Sequence, residues 1–394
     1  MVIKMINFLY PTDDFDFSIY NKNEQTFVKN SNVDPWSVEW LFDFVEIPYR
    51  NSIKKKKKSY IIFQLEFPNN FIDLLNIPDN IWNILADDPD VYLLLYQPAE
   101  AVPFYFWDYR WNKLKDFLRS RNILPEKVKF ICGDINAKEN HKINYDDYWS
   151  YIDVLGLDII QLIHYYRHNL YNKSTNFDKN FKKYFKNKNR KKFLCLNRRL
   201  RPSKQALIYY LKKYDYFDKS LTSSLWTDTD LVINKEEFDL NYNFDNSEYD
   251  DFVKKIQVKH QIEKVYSGQQ TSPPEMYINT DYSLVSETYT GNKVLLISEK
   301  TYKPIVMGHP FLIHGNTGTL SYLKDNGYET FPEMFDESYD LETDPKKQLK
   351  KVIENLNNDF FLSKITIEKI LHNREHFLKL FSKEIIRQKI EEFL

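Results

Sequence analysis

"KKFLCLNRRLRPSKQALIYYLKKY", Lys191 to Tyr214, decides how the chain is divided. Phe193 to Leu196 is a short apolar run that reads as a buried strand, and Arg198, Arg199 and Arg201 crowd the loop behind it. Pro202 then opens a helix, with Ser203 beside it. A strand, a loop and a helix in that order form the first unit of a parallel sheet with helical crossovers. The same alternation has already run once toward the amino terminus. There SYIIFQLEF, VYLLLYQ and VKFICGD read as strands, and DNIWNILADD and YRWNKLKDFLRSRN as the helices between them. Its restart after Lys192 predicts an α/β protein of two Rossmann-like domains facing one another across a cleft, with a C-terminal helical tail. The expected boundaries are 1–172 for the first domain, 173–192 for a basic linker, 193–370 for the second domain and 371–394 for a helix returning to the first.

Composition sets outer limits. A chain of 394 residues, 42% hydrophobic and 16% aromatic, has the material for two sizeable cores. The formal net charge of −1 leaves no global excess of positive charge for binding nucleic acid, so nucleic acid is an unlikely partner. Cys132 and Cys195 both lie in apolar runs and read as buried free thiols of a reducing compartment. No run reaches the length of a transmembrane segment, and the amino terminus meets acidic residues too early for a secretory signal. The expected location is cytoplasmic, in a host cytoplasm if the source is viral. Abundant Lys, Asn, Tyr, Phe and Ile fit an AT-rich genome.

Two stretches stand apart by charge. Residues 172–192 carry nine basic residues against one acidic. Phe177, Phe181, Tyr184 and Phe185 share one helical face there, which reads either as an amphipathic helix or as a nucleic-acid track. Residues 227–251 carry nine acidic residues against one lysine and read as an irregular, solvated insertion.

The candidate chemistry lies at strand ends. Three arginines where a strand meets a helix amino terminus suit a diphosphate, because guanidinium forks and first-turn amides both donate to phosphate oxygens. The alternative is pairing with the acidic insertion. Glu299 and Lys300 repeat the arrangement after VLLIS, where a carboxylate can accept ribose hydroxyls and an ammonium can neutralise a phosphate. The alternative there is an ordinary helix start capped by Ser298. Between Ser298 and Gly327 fall four of the chain's eight glycines, and the turn Gly315 to Gly318 offers backbone that can approach a ligand. The next helix is expected to be capped by Thr319. His309 and His314 read as structural. His164 and His168 lack a third metal ligand, and Asp228 with Asp230 is the best Asp-x-Asp spacing but falls in the acidic insertion, so no metal site is expected.

In order, FLCLNRRLRPSK, SLVSET, SEKTYKPIVMGHPFLIHG, TLSYLKDNGYETF and DESYD resemble the donor domain of GT-B type glycosyltransferases. The resemblance is to the alpha-1,3-fucosyltransferase and exostosin-like groups and to uncharacterised phage and giant-virus relatives. It covers about residues 193–340. It implies that Arg198, Arg199, Arg201, Glu287, Glu299, Lys300, Gly315 and Gly318 hold a nucleoside-diphosphate sugar, with no cofactor beyond that donor substrate. It implies an acceptor-side first domain, a glycan or other hydroxyl acceptor, and a catalytic carboxylate after a first-domain strand, for which Glu100 in LLLYQPAEAVPF is the match. Should Glu100 fail, Asp134 at the end of VKFICGD is next. Two other readings remain open: a nucleotide-sugar or phosphoglycan binding protein without turnover, and a transferase that modifies nucleic acid.

Overall fold

The computed structural model describes residues 6–9, 38–47, 49–51, 58–64, 79–97, 108–133, 148–157, 176–197, 201–224, 242, 244–256, 273–291, 295, 297–359 and 361–394. The chain divides into two compact units, Met1–Ile163 with Phe381–Leu394, and His164–Leu380.

In the first unit, β1 (Ile6–Leu9), α1 (Val38–Phe44), β2 (Tyr49–Asn51), β3 (Ser59–Gln64), α2 (Asp79–Asp87), β4 (Val91–Gln97), α3 (Asp108–Ser120), β5 (Val128–Cys132) and β6 (Asp153–Gly156) follow in order. All pairings are parallel, and the sheet order is β2-β1-β3-β4-β5-β6. β4 is almost continuously apolar, as a strand covered on both faces must be, and Leu93, Leu94, Leu95 and Tyr96 are fully buried. Ile81, Trp82 and Leu85 of α2 and Leu114 and Leu118 of α3 lie in the same core. The helix Lys383–Phe393 belongs to this unit, burying Ile386 and Ile390. Lys58 and Tyr60 both donate to the terminal oxygen of Leu394, and Lys129 Nζ donates to the Phe393 carbonyl at 2.7 Å.

The second unit opens with α4 (Phe177–Lys186), which forms from the basic stretch. Asn176 caps it by accepting from the Lys179 amide. The rings of Phe177 and Phe181 stack at 5.0 Å, Tyr184 is buried, and most of the lysines face solvent, so the stretch is an amphipathic helix. There follow β7 (Lys191–Asn197), α5 (Pro202–Lys213), β8 (Leu221–Ser224), α6 (Asn246–Ile256), α7 (Pro274–Ile278), β9 (Thr280–Gly291), α8 (Glu299–Met307), β10 (Phe311–Asn316), α9 (Thr319–Asp325), α10 (Pro345–Asn355) and α11 (Lys364–Leu380). The parallel order is β10-β9-β7-β8. Counted within its own unit, this is the winding 2-1-3-4, which is also how β2-β1-β3-β4 of the first unit are arranged.

Three sequence expectations change. VLLIS adds no strand among the described residues 295, 297 and 298, because β9 and β10 pair directly and leave no ladder position between them. The end of the acidic insertion is an ordered helix, α6. Its Glu248 accepts from Tyr210 and Lys346, its Asp251 accepts from Tyr209, and Phe252 is fully buried. Thr319 is the first residue of α9 rather than its cap; the amides of Leu320 and Ser321 donate to the Asp340 carboxylate, 2.9 and 3.1 Å away.

Candidate functional site

In an open parallel sheet, ligands bind beyond the carboxyl ends of the strands where the winding reverses. In the second unit that point lies between β7 and β9. Pairing of β7 with β8 runs to Asn197↔Ser224, but pairing of β7 with β9 ends at Leu194↔Ser283. The two central strands therefore part at their carboxyl ends and open a crevice. β7 to β8 and β9 to β10 step in opposite directions, so right-handed crossovers bring α5 and α8 onto opposite faces. Both helices begin at this edge, and their unpaired amides carry partial positive charge.

Glu287 fastens one wall. Fully buried on β9, it accepts through Oε1 from the Ser298 amide at 3.0 Å and the Thr301 hydroxyl at 2.6 Å. Through Oε2 it accepts from the Ser298 hydroxyl at 2.6 Å and the Thr288 amide at 3.1 Å. Four bonds fill both carboxylate oxygens, so the sequence-proposed ligand residue Glu287 has no acceptor left over and instead fixes the start of α8. Gly315 serves the same contact, since a Cβ there would stand 3.2 Å from Cβ and Cγ of Glu287.

Lys300 lies in the first turn of α8, its side chain partly exposed. Nζ donates to Ser298 Oγ at 2.9 Å and Thr288 Oγ1 at 3.1 Å and stands 3.3 Å from Glu299 Oε1. Glu299 is buried beside it. From the opposite wall comes Arg201, the N-cap residue of α5.

Sequence reading missed Lys204. Third in α5 and only 2% exposed, it makes no side-chain hydrogen bond or ion pair with any described residue. Burial pushes its ammonium down to about 8, and the positive charges of Lys300 and Arg201 act in the same direction against the weaker pull of Glu287 and Glu299. A buried cation at a helix amino terminus opposes both solvation and the helix dipole. The available signal was its place three residues into a helix opened by Pro202, at the end of an arginine-rich loop.

The remaining sequence candidates separate. Gly318 has φ +83, with open space where a Cβ would stand; its left-handed turn starts α9 and its amide donates to the Asp340 carbonyl. His309 is satisfied by Ser283 Oγ at 2.9 Å and the Thr280 carbonyl at 3.0 Å, and burial pushes it down to about 3. His314 is also fully buried and pushed down to about 4. Both rings are neutral at physiological pH. Glu100, Arg198, Arg199, Asp134, His164, His168, Asp228 and Asp230 lie outside the described residues. No described helix is long and apolar enough to cross a membrane.

No protein-family model matches the chain, and no curated protein matches it. Among solved structures, the N-terminal domain of trehalose-6-phosphate phosphatase from Candida albicans is similar over 100% of this chain and 97% of that one, with 9% identity and a TM-score of 0.39. A likeness at that level carries no argument about activity.

Proposed function

We propose that the chain is a GT-B type glycosyltransferase whose second unit binds a nucleoside-diphosphate sugar in the crevice between β7 and β9. The observation that carries this reading is the gathering of Lys204, Lys300 and Arg201 at the starts of two helices, with Lys204 buried and without a side-chain hydrogen bond or ion pair to any described residue. Two amino-terminal helix ends and three cations form a cradle for a diphosphate. Arg198 and Arg199, adjacent in sequence to Arg201, supply further guanidinium groups in this reading.

Transfer is inverting and needs no metal. A base removes the acceptor hydroxyl proton as the acceptor oxygen bonds to the anomeric carbon. The bond from that carbon to the diphosphate breaks, and its electron pair leaves on the diphosphate oxygen, where the cationic cradle stabilises the charge. Glu100 is the proposed base, on the family resemblance, with the two units arranged across a cleft. Glu287 holds α8 in place while Lys300 and Lys204 contact the leaving group.

The reading is tested by thermal shift of the full chain against GDP-, UDP-, ADP-, dTDP- and CMP-linked sugars, since a bound donor stabilises the folded state by mass action. At least one donor is expected to raise the melting temperature and to be slowly hydrolysed in the presence of EDTA. No stabilisation by any of them would refute the assignment. Stabilisation without hydrolysis or transfer would leave a binding protein, and hydrolysis abolished by EDTA and restored by manganese would overturn metal independence.

A further inference from the structure

A second recess lies at the far end of α5. That helix has twelve residues, so its last residue, Lys213, stands about 13 Å along the axis from Lys204. Tyr210, Tyr214 and Tyr216 form one side of an open groove of about 420 Å³, and Lys350, Glu354 and Asn357 on and beyond α10 form the other. The rings of Tyr210 and Tyr214 are within 8° of parallel with centroids 6.1 Å apart, and Tyr214 is 49% exposed. Tyr216 is hydrogen bonded to Asn357 Oδ1, which ties the two walls together and leaves the Asn357 amide nitrogen available. Tyr210 is braced from behind by Glu248 at 3.1 Å.

Lys350 and Glu354 are exposed, one turn apart on the same helix, and make no side-chain hydrogen bond or ion pair with any described residue. The groove therefore combines an exposed aromatic face, a free carboxylate, a free ammonium and a free amide, with the two charges cancelling. A sugar ring has the matching chemistry: one face made of C–H groups that lies against an aromatic ring, and a rim of hydroxyls that both donate and accept. A carboxylate accepts from two neighbouring hydroxyls at once, while the ammonium and amide donate to ring and hydroxyl oxygens. A phosphate-bearing chain is disfavoured because the opposite charges of Lys350 and Glu354 leave the groove with no net attraction for it. The volume suits a piece of glycan of about two rings and falls within the range of small-ligand pockets.

We propose that this groove is a second carbohydrate site, for an uncharged oligosaccharide, separate from the cationic crevice. It goes beyond the donor-site reading and does not depend on it. In a transferase, a remote site of this kind would hold the acceptor or product chain near the enzyme and raise its effective concentration.

The test is calorimetric titration of the full chain with maltotriose, cellotriose, chitotriose and xylotriose, and with oligothymidine as the competing chemistry. At least one trisaccharide is expected to bind, with affinity at least about tenfold weaker in Tyr214→Ala and clearly reduced in Glu354→Gln. Lys300→Ala should leave that binding unchanged, which separates failure here from failure at the crevice. Tyr214 is half exposed, so its replacement leaves the fold intact. Lack of binding by every trisaccharide, binding indifferent to Tyr214→Ala, or binding only of oligothymidine in a salt-dependent manner would each overturn the proposal.

Discussion

The two sheets share the winding 2-1-3-4 and differ in what their strands carry at the carboxyl end. In the first unit β4 and β5 stay apolar almost to the last residue, with Leu95, Tyr96, Ile131 and Cys132 all buried. In the second unit β7 ends on Asn197, β9 carries the run Ser286, Glu287 and Thr288 in its carboxyl half, and β10 ends on His314, Gly315 and Asn316, and these polar residues are buried too. Winding alone therefore does not make a site. A crevice becomes chemically useful where a fold accepts buried polar groups that cost stability, and the second unit does so at its switch point.

The sharpest way to break that comparison is at Glu287. Glu287→Ala strands four donors inside the protein and should lower the stability of the second unit by about 3–5 kcal/mol. In the first unit Gln97, the last residue of β4, is half-buried, and Gln97→Ala should change stability by less than about 1 kcal/mol. Urea unfolding of both variants decides it. Similar losses at the two positions would mean that the carboxyl edge of the second sheet is not organised differently from that of the first.

Lys204 tests the same contrast with the opposite sign. Its pKa falls from 10.5 to about 8 on folding, so below about pH 8 the folded state holds a proton under penalty. Stability should rise as pH increases from about 8 to about 10.5, because the unfolded chain binds more protons across that window. Lys204→Met should stabilise the unliganded protein at pH 7 by about 2–3 kcal/mol and flatten that rise. It should also remove much of the stabilisation that a nucleotide sugar gives. Melting curves from pH 7 to 10.5, with and without the donor, check each part. A destabilised Lys204→Met would show that the ammonium is held by favourable contacts after all.

Lys300 sharpens the assignment on the other wall. Lys300→Ala should weaken donor binding by about 2–3 kcal/mol, the scale of a charge-assisted contact, while the folded state changes little. Unaltered donor affinity in a folded variant would remove α8 from the site. Smallest of the set is Gly318→Ala, where the added methyl meets nothing but φ +83 is unfavourable for an L-residue. A loss of about 1–2 kcal/mol is expected, with donor affinity unchanged if the turn only starts α9.

The glycine-rich stretch shows how far local reading reached. Its clustering was plain in the sequence, and so was the helix opening at Ser298. Its purpose was not. Gly308 has φ +68 and closes α8 directly against Phe177, where a Cβ would stand 2.6 Å from the ring. Phe177 lies 131 residues earlier in the chain, on a helix whose sequence reads equally well as a linker. Gly315 makes room for Glu287, and the cap of α9 comes from Asp340, so neither partner lies within the stretch that was read.

By itself the sequence determined β3, β4 and β5 of the first unit, the strand, loop and helix at 191–214, the C-terminal helical tail and the edge at which charged residues gather. These depend on apolar periodicity and on Pro and Gly positions, which act over a few residues. Tertiary structure alone decided that the described residues of VLLIS add no strand, that α6 is ordered by pairing with tyrosines and lysines of other helices, and that Glu287 is saturated while Lys204 finds no partner among the described residues. Each of those outcomes depends on which partner, distant in the chain, arrives within hydrogen-bonding distance. Spacing along the chain encodes the faces of helices and strands; the state of a buried charge is set by the neighbours that folding brings to it.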